Sequence, residues 1–333
     1  MTQNQLYRTL GLGDYHTLLQ AIAISPAMIG YLDNQHNVVG ELNENFAREL
    51  MELFTLGVGS FTQADVTEVA RAWTGHGLTE DRPPRYRFDP ARHDSGAKRL
   101  FGVTSNLDGP DVINVILDQR RSVHARFLCR KLWSFFAYPV DAGADEVDDI
   151  MATYSAGLSI RDTLRAIFLH PGFRSDRARW ALVRSPVEYL VAVMRHTGTD
   201  SAQLHPEWWC LGMGQNPFFP PNVNGWGQNR YWLTSTAAWT RLQMVNYLHH
   251  EMANRGDLPT VSETVADNPR LYRFTPAQSV NLALQNYRIG QVSAASRQWL
   301  VDYVTTVRNS SYYWSERAGL LHLPLLLPEL VMA

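Results

Sequence analysis

Apolar residues recur every three or four positions along most of this 333-residue chain, with polar residues between them. This spacing places the apolar side chains on one face of a helix. Helix-start signals, in which Ser or Thr precedes an acidic residue or a proline, occur at Thr62, Ser159, Ser185 and Thr275. The pattern predicts a mainly α-helical fold in a single domain over residues 1–333, with a small β-hairpin and a long loop rich in aromatic residues and proline.

The helix predicted for residues 43–59 has an unusual polar face, which carries acidic residues and asparagine but no lysine. At helical spacing one side of this helix carries Glu44, Arg48, Glu49 and Glu52. Exposed helix faces ordinarily pair lysine with glutamate. One interpretation is a structural ion network that holds neighbouring segments together, with Gly57 ending the helix. The other is that Glu49 or Glu52 takes part in catalysis or binds a cation.

A change of pattern between Tyr86 and Phe101 predicts the β-hairpin, because Tyr86 and Phe88 alternate with charged residues before turn-forming residues follow. The turn carries three candidate site residues, His93, Asp94 and Lys98. Its Gly96 suits a tight turn with positive φ. A His-Asp pair at a turn can ligate a metal or act as acid and base. In the structural alternative, Asp94 caps its own turn.

The helix predicted for residues 122–138, capped by Ser122, is apolar over most of its surface and is expected to be deeply buried. His124 and Lys131 share one of its faces. Burying a lysine without a partner is unfavourable, so Glu44, Glu49 or Glu52 is the predicted partner in a polar site. In the structural alternative, Lys131 extends its ammonium to solvent and His124 is a hydrogen-bonded core histidine.

Aromatic and amide side chains crowd the loop over residues 215–227 and its surroundings. The candidate substrate-binding residues are Phe218, Asn224 and Trp226. Sugar rings stack on aromatic faces while amides bond hydroxyls, which is typical of glycan clefts. Alternatively, most of these rings belong to the core and anchor the loop. We favour the second interpretation, since long loops in compact domains need such anchors.

Composition narrows the classes of function. With 30 basic and 32 acidic residues the formal net charge is −2, which excludes nucleic acid as the main partner because that needs a basic surface. We predict no membrane span, since no apolar run is long enough. Residues 1–13 lack the basic start and apolar centre of a signal peptide. Common catalytic, phosphate-binding and metal-binding motifs are missing from the sequence, so the cofactor is unknown, with a divalent metal as one candidate.

Five segments in a fixed order carry a family resemblance. They are NENFARELMELFTLGVGSFTQADVTEVARAWTG (43–75), HDSGAK (93–98), RSPVEY (184–189), MGQNPFFPPNVNGWG (213–227) and the closing LHLPLLLPELVMA (321–333). Together they resemble the bacterial family called domain of unknown function 1800. That resemblance implies no particular reaction, because the activity of the family is not established.

The resemblance also implies a cellular location and a partner protein. Members of the family are often exported, which suggests a periplasmic or extracellular location, and are often encoded beside the sulfatase-like family called domain of unknown function 1501. A sulfatase-like partner is therefore expected. Further helices usually precede the part that matches residues 13–34, so this chain resembles a form lacking the N-terminal part. We therefore expect incomplete packing before Asp33, with uncovered apolar residues at Leu6, Leu10, Leu18, Leu19 and Ile22.

Three functions remain open from the sequence. The first is a cell-envelope enzyme acting on a polysaccharide or related polymer, with the glutamates of residues 43–59 and His93 or His124 in acid–base roles. The second is a non-catalytic glycan- or protein-binding assembly factor that uses the aromatic loop. The third is a metal-dependent hydrolase or oxidoreductase with Glu49, Glu52 and His93 as ligands.

A single polar cleft would unite these candidates. We expect Glu49 or Glu52 to approach Lys131 or His124, because each side chain is unfavourable alone in an apolar surrounding. The predicted hairpin with its His-Asp pair would fold over the same place, and Trp226 would stand at the rim.

Overall fold

The computed structural model describes residues 3–141, 143–256, 259, 264–265, 268–311 and 315–332. Most of these residues are helical, which confirms the mainly α-helical fold. The contacts divide the chain into two compact units, Met1–Ala178 and Arg179–Ala333. Each unit is described by itself below, and the single domain stays a prediction.

Helices form most of the first unit. They are α1 (Gln3–Leu10), α2 (Tyr15–Ala23), α3 (Pro26–Tyr31), α4 (Asn45–Glu49), α5 (Gln63–Ala72), α6 (Gly109–Gln119), α7 (Arg121–Phe136), α8 (Asp145–Gly157) and α9 (Ile160–Leu169). A π-helix, Leu50–Thr55, continues α4 without a break, and α8 packs against α7 and α9. In the core, the rings of Phe46 and Trp73 lie with their centroids 4.5 Å apart.

The second unit is also helical. Its helices are α10 (Pro186–Thr197), α11 (Ser201–Leu204), α12 (Pro206–Gly212), α13 (Ser235–Arg255), α14 (Pro276–Asn286), α15 (Ala294–Arg308), α16 (Ser315–His322) and α17 (Pro328–Val331). Its core is a cluster of buried side chains that includes Tyr189, Met244, Leu284 and Leu300.

The predicted helix starts are mostly confirmed. Thr62, Ser185 and Thr275 each form a capping box, and the Ser159 side chain accepts a hydrogen bond from the third residue of α9. The predicted cap at Ser122 is wrong. Helix α7 begins at Arg121, directly after α6, and no side chain caps that end within the described part of the chain.

Two small sheets replace the single predicted hairpin. Antiparallel pairs join β1 (His76–Leu78) to β2 (Tyr86–Phe88) and β3 (Lys98–Leu100) to β4 (Val103–Ser105). The predicted pairing of the segments at Tyr86 and Lys98 is therefore wrong. The reason is a two-residue turn at Phe101 and Gly102, both with positive φ, which folds the chain back directly after β3. A third pair, β5 (Thr264–Val265) with β6 (Asn268–Tyr272), lies in the second unit.

Burial in the first unit departs from the expectation at two places. Helix α7 buries one stripe, which includes His124 and Trp133, while Lys131 and Phe135 are exposed, so the predicted all-round burial is wrong. Near the N-terminus, Leu19 and Ile22 are buried, whereas Leu6, Leu10 and Leu18 remain partly exposed. Both cysteines are buried free thiols.

No helix in the described ranges is long and apolar enough to cross a bilayer.

Candidate functional site

The acidic segment begins as α4 and widens into the π-helix Leu50–Thr55. In the wider helix the amide of Leu56 donates to the carbonyl of Met51, five residues back, at 2.7 Å. Such turns are rare and occur frequently at functional sites. The regular spacing that predicted one polar face therefore holds only as far as Glu49. The predicted stop at Gly57 is confirmed by its positive φ of 81°.

Three side chains from other helices donate to the last carbonyls of the π-helix. The bonds run from the Tyr15 hydroxyl to Phe54 (2.5 Å), from His124 Nδ1 to Thr55 (2.8 Å) and from Lys131 Nζ to Leu53 (3.1 Å). Carbonyls at a helix end lack intrahelical partners and carry partial negative charge, so hydroxyl, imidazole and ammonium donors satisfy them. A glutamate is thus not the hydrogen-bond partner of Lys131 or His124, and that prediction is wrong.

His124 corresponds to the structural alternative. The ring is fully buried, and the Tyr154 hydroxyl donates to its Nε2 at 2.6 Å. Burial lowers the pKa of His124 to about 4, although the bond to the Thr55 carbonyl opposes this shift. The imidazole is therefore neutral at pH 7, with both nitrogens bonded. Lys131 is exposed, as the solvent-directed alternative predicted.

Glu44 and Arg48 form the structural part of the acidic segment. Gln63 Nε2 and the Thr67 hydroxyl donate to the Glu44 carboxylate at 2.7 and 2.8 Å. Arg48 Nη2 donates to Glu44 at 3.4 Å and to the side-chain amide oxygen of Gln63 at 2.8 Å. The Gln63 bond is the main cause that lowers the pKa of Glu44. These contacts fasten α4 to α5, as the ion-network interpretation predicts.

Glu49 differs from its neighbours. Its residue is only 8% exposed, yet no described residue donates a hydrogen bond to its carboxyl. Burial raises the pKa of Glu49, the negative charge of Glu52 adds to the shift, and Arg48 opposes it. Glu52 is partly buried one turn further on. The two carboxyls therefore form a pair in unequal surroundings, the arrangement that separates an acid from a base in many active sites.

Asp94 belongs to a dense ionic network. Arg71 on α5 donates to both of its carboxylate oxygens, at 2.8 and 3.2 Å, and to both oxygens of Glu68, at 3.0 and 2.9 Å. The Gly96 amide also donates to Asp94, at 2.9 Å, so this carboxylate does cap its own turn. The Arg71 bonds are the main cause that lowers the pKa of Asp94.

Glycine occupies position 96 for a different reason from the predicted one. Its φ is not positive, so that expectation is wrong. A Cβ atom there would lie 2.9 Å from Arg71 Nη2 and 3.0 Å from Asp94 Oδ1. The glycine therefore leaves room for the bidentate ion pair.

His93 and Lys98 face each other beside this network. His93 Nδ1 donates to the Thr74 carbonyl at 2.9 Å, and its Nε2 lies 3.5 Å from Lys98 Nζ. Lys98 is fully buried and also donates to the Asp94 carbonyl and, at 3.4 Å, to Asn106. Burial lowers the pKa of Lys98, while the charge of Asp94 raises it. The ammonium has three acceptors and the imidazole has a contact at each nitrogen.

The rings of the aromatic loop are far more exposed than the core interpretation, which we favoured, predicts. Phe218 is 94% exposed, Phe219 72% and Trp208 66%, so the core interpretation is wrong for these rings. Asn224 is exposed and Trp226 partly buried. Among Trp208, Phe218, Phe219, Trp226 and Trp232, only Trp232 is buried. Because Trp226 belongs to the second unit, its place at the rim of a cleft in the first unit stays a prediction.

The predicted metal ligands do not come together. In the part of the chain that the structure describes, no three His, Cys, Asp or Glu side chains are grouped closely enough to hold a metal ion. This includes the set of Glu49, Glu52 and His93.

Sequence reasoning missed Tyr15, Gln63, Thr67 and Arg71, which hold the candidate residues in place. For Arg71 a local signal existed, because Glu68 precedes it by three positions on a helix. Its bond to Asp94 spans 23 positions, and no spacing rule reaches that far.

The comparisons with known proteins identify the family. A model described as "Protein of unknown function (DUF1800)" matches residues 1–332. The chain therefore belongs to this family, as its motifs indicated. The comparison with curated proteins and the comparison with solved structures each gave no match.

Proposed function

We propose that this protein is an acid–base enzyme whose reacting carboxyls are Glu49 and Glu52. The observation that carries the proposal is Glu49, a residue that is only 8% exposed and whose carboxyl has no hydrogen-bond donor among the described residues. A purely structural carboxylate in a fold is normally paired, as Glu44 and Asp94 are. An unpaired one with a raised pKa, at the end of an α-helix that continues directly as a π-helix, is typical of a reacting group.

The two carboxyls take different roles. Glu49, which holds its proton more firmly than an ordinary glutamate, acts as general acid and protonates the oxygen that leaves. Glu52 acts as general base and removes a proton from the attacking water. Hydrolysis of a glycosidic bond uses such a pair. We therefore propose a polysaccharide or related polymer of the cell envelope as substrate, with Phe218, Asn224 and Trp226 as sugar-contacting residues of the second unit.

Glu49→Gln tests the acid. The purified protein is assayed on a panel of envelope polysaccharides by release of reducing ends, and the active substrate is then used for each variant. Glu49→Gln keeps the shape but cannot donate a proton, so activity should fall by about 10²- to 10⁴-fold. Glu80→Gln changes an exposed glutamate and should leave the activity unchanged. Full activity of Glu49→Gln would refute the proposal.

A second candidate function is glycan or protein binding without catalysis. The exposure of Phe218, Phe219 and Trp208 favours it, because exposed aromatic rings are available to stack on a sugar ring or to pack against a protein partner. Phe218→Ala should then weaken retention on an insoluble polysaccharide severalfold, whereas Trp299→Ala, at a half-exposed ring on α15, should not. If Phe218→Ala weakens retention and Glu49→Gln abolishes a measured activity, the protein is an enzyme. If Phe218→Ala weakens retention and the wild-type protein shows no turnover on any substrate, it is a binding protein.

Two further expectations rest on the family resemblance. The sulfatase-like partner should co-purify with the chain when both are produced together, and the protein should be found in the periplasm or outside the cell. The metal-dependent alternative has no supporting cluster among the described residues.

A further inference from the structure

We propose that the first unit contains a binding site for a small apolar ligand, about the size of one aromatic ring or a short alkyl group. The site is a cavity of about 140 Å³ between α1, α2, α3 and the helix that runs from α4 into the π-helix. Its ten lining residues are all apolar or aromatic. They include Tyr7, Tyr15, Ile22, Met28, Leu50 and Phe54.

The cavity offers few hydrogen-bond partners to a water molecule. The hydroxyl of Tyr15 is already bonded to the Phe54 carbonyl. A buried water needs two to four polar partners, and an apolar ligand that displaces water from this lining removes apolar surface from solvent, which is favourable. The lining therefore favours an apolar ligand over water.

An occupant would restore contacts that the protein otherwise lacks. Protein interiors are close-packed, with few voids larger than a water molecule, and side chains that line a void lose dispersion contacts on that side. Ile22, Met28 and Leu50 are buried and line this space. Filling it with a rigid apolar group adds dispersion contacts to these side chains.

The entrance lies beside α1. Tyr7 is about half exposed and is the most exposed residue of the lining. An apolar ligand can therefore enter past its ring. Leu50 and Phe54 belong to the π-helix, so binding will be detectable at that helix as well as on α2.

Benzene is the probe for the first test. Methyl resonances of the full-length chain are followed by NMR during a benzene titration. Those of Ile22, Met28 and Leu50 should shift and saturate, and the melting temperature should rise by about 2 °C at roughly ten times the dissociation constant. Leu323, Leu326 and Leu327 line an open apolar cavity in the second unit and serve as internal controls that should not saturate together with them.

Filling the cavity gives the second test. Ala23 is buried in the lining, so Ala23→Leu should occupy part of the space and abolish the response to benzene. Ala295→Leu, in the lining of the second-unit cavity, should leave the response of the first unit intact.

Three results would overturn the proposal: no shift in the wild-type protein, equal shifts in both units, or an unchanged response in folded Ala23→Leu. If Ala23→Leu does not fold, the wild-type titration with its internal controls decides alone.

Discussion

Two charged regions of the first unit contrast in how their polar groups are satisfied. In the hairpin region, Arg71 holds Asp94 and Glu68 through bidentate bonds, and buried Lys98 has three acceptors. On the acidic helix, Glu49 is only 8% exposed, but among the described residues no donor contacts its carboxyl. The sequence made both regions candidates for chemistry, and only their contacts separate them.

The contrast indicates which cluster stabilises the fold. A fully bonded network rigidifies its surroundings, and its groups gain nothing further from a ligand. A largely desolvated carboxylate without a protein donor costs free energy of folding, so the presence of Glu49 calls for a reason beyond stability. We therefore assign the hairpin network to structure and the pair of Glu49 and Glu52 to chemistry.

The largest effect should come from His124 on α7, whose ring donates a hydrogen bond to the Thr55 carbonyl at the end of the π-helix. Its pKa is lowered to about 4 in the folded protein, from 6.5, so the unfolded chain binds a proton between these values and the folded chain does not. Stability should therefore fall as the pH drops from 6.5 to 4, by about 3 kcal/mol for this group. Urea unfolding at several pH values measures it.

Two variants isolate that contribution. His124→Gln keeps a donor for the Thr55 carbonyl and should reduce the pH dependence of the unfolding free energy by the share of this one ring, since burial also lowers the pKa of His76 and His249. His36→Gln changes an exposed histidine and should leave the dependence unchanged. An equally steep acid loss in His124→Gln would show that the ring is not held neutral by burial.

Breaking the hairpin network should have the next largest effect. Arg71→Met leaves Asp94 and Glu68 without their cation, and we expect a loss of about 2 kcal/mol in unfolding free energy, since hydrogen bonds to charged groups are the strong ones. Arg85→Met removes an ion pair with Asp81 that is largely exposed and should cost less than about 0.5 kcal/mol. Similar losses in both variants would remove the distinction between network and surface pair.

The smallest effect should follow from Glu49→Gln. Because the folded protein raises the pKa of Glu49, stability falls as the pH rises from the unfolded value through the folded one. A neutral glutamine escapes this loss at pH 7, so the melting temperature should stay equal or rise by no more than about 2 °C. A clear fall in the melting temperature would mean that Glu49 is a structural residue after all.

The sequence correctly predicted features that depend on interactions between residues close together in the chain. The capping boxes at Thr62, Ser185 and Thr275 depend on residues three positions apart, and each formed as predicted. The absence of lysine around Glu44 correctly indicated a fixed network rather than a solvated face.

The remaining features depend on partners distant in the chain. The π-helix receives donors from α2 and α7, up to 78 positions away. Helical periodicity assumes a constant turn, so it could not indicate that the helix widens after Glu49. The strands paired differently because the turn at Phe101 and Gly102 closed a shorter loop, and shorter loops cost less entropy to close.

The titration of the glutamate side chains by carboxyl-carbon NMR tests the central claim most directly. It needs no substrate, and Glu49→Gln and Glu44→Gln assign the two resonances. We predict that the pKa of Glu49 lies above the ordinary glutamate value of 4.5 and that of Glu44 below it. If Glu49 titrates at or below that ordinary value, a donor holds its ionised form, and the assignment of this carboxyl as the proton donor is wrong.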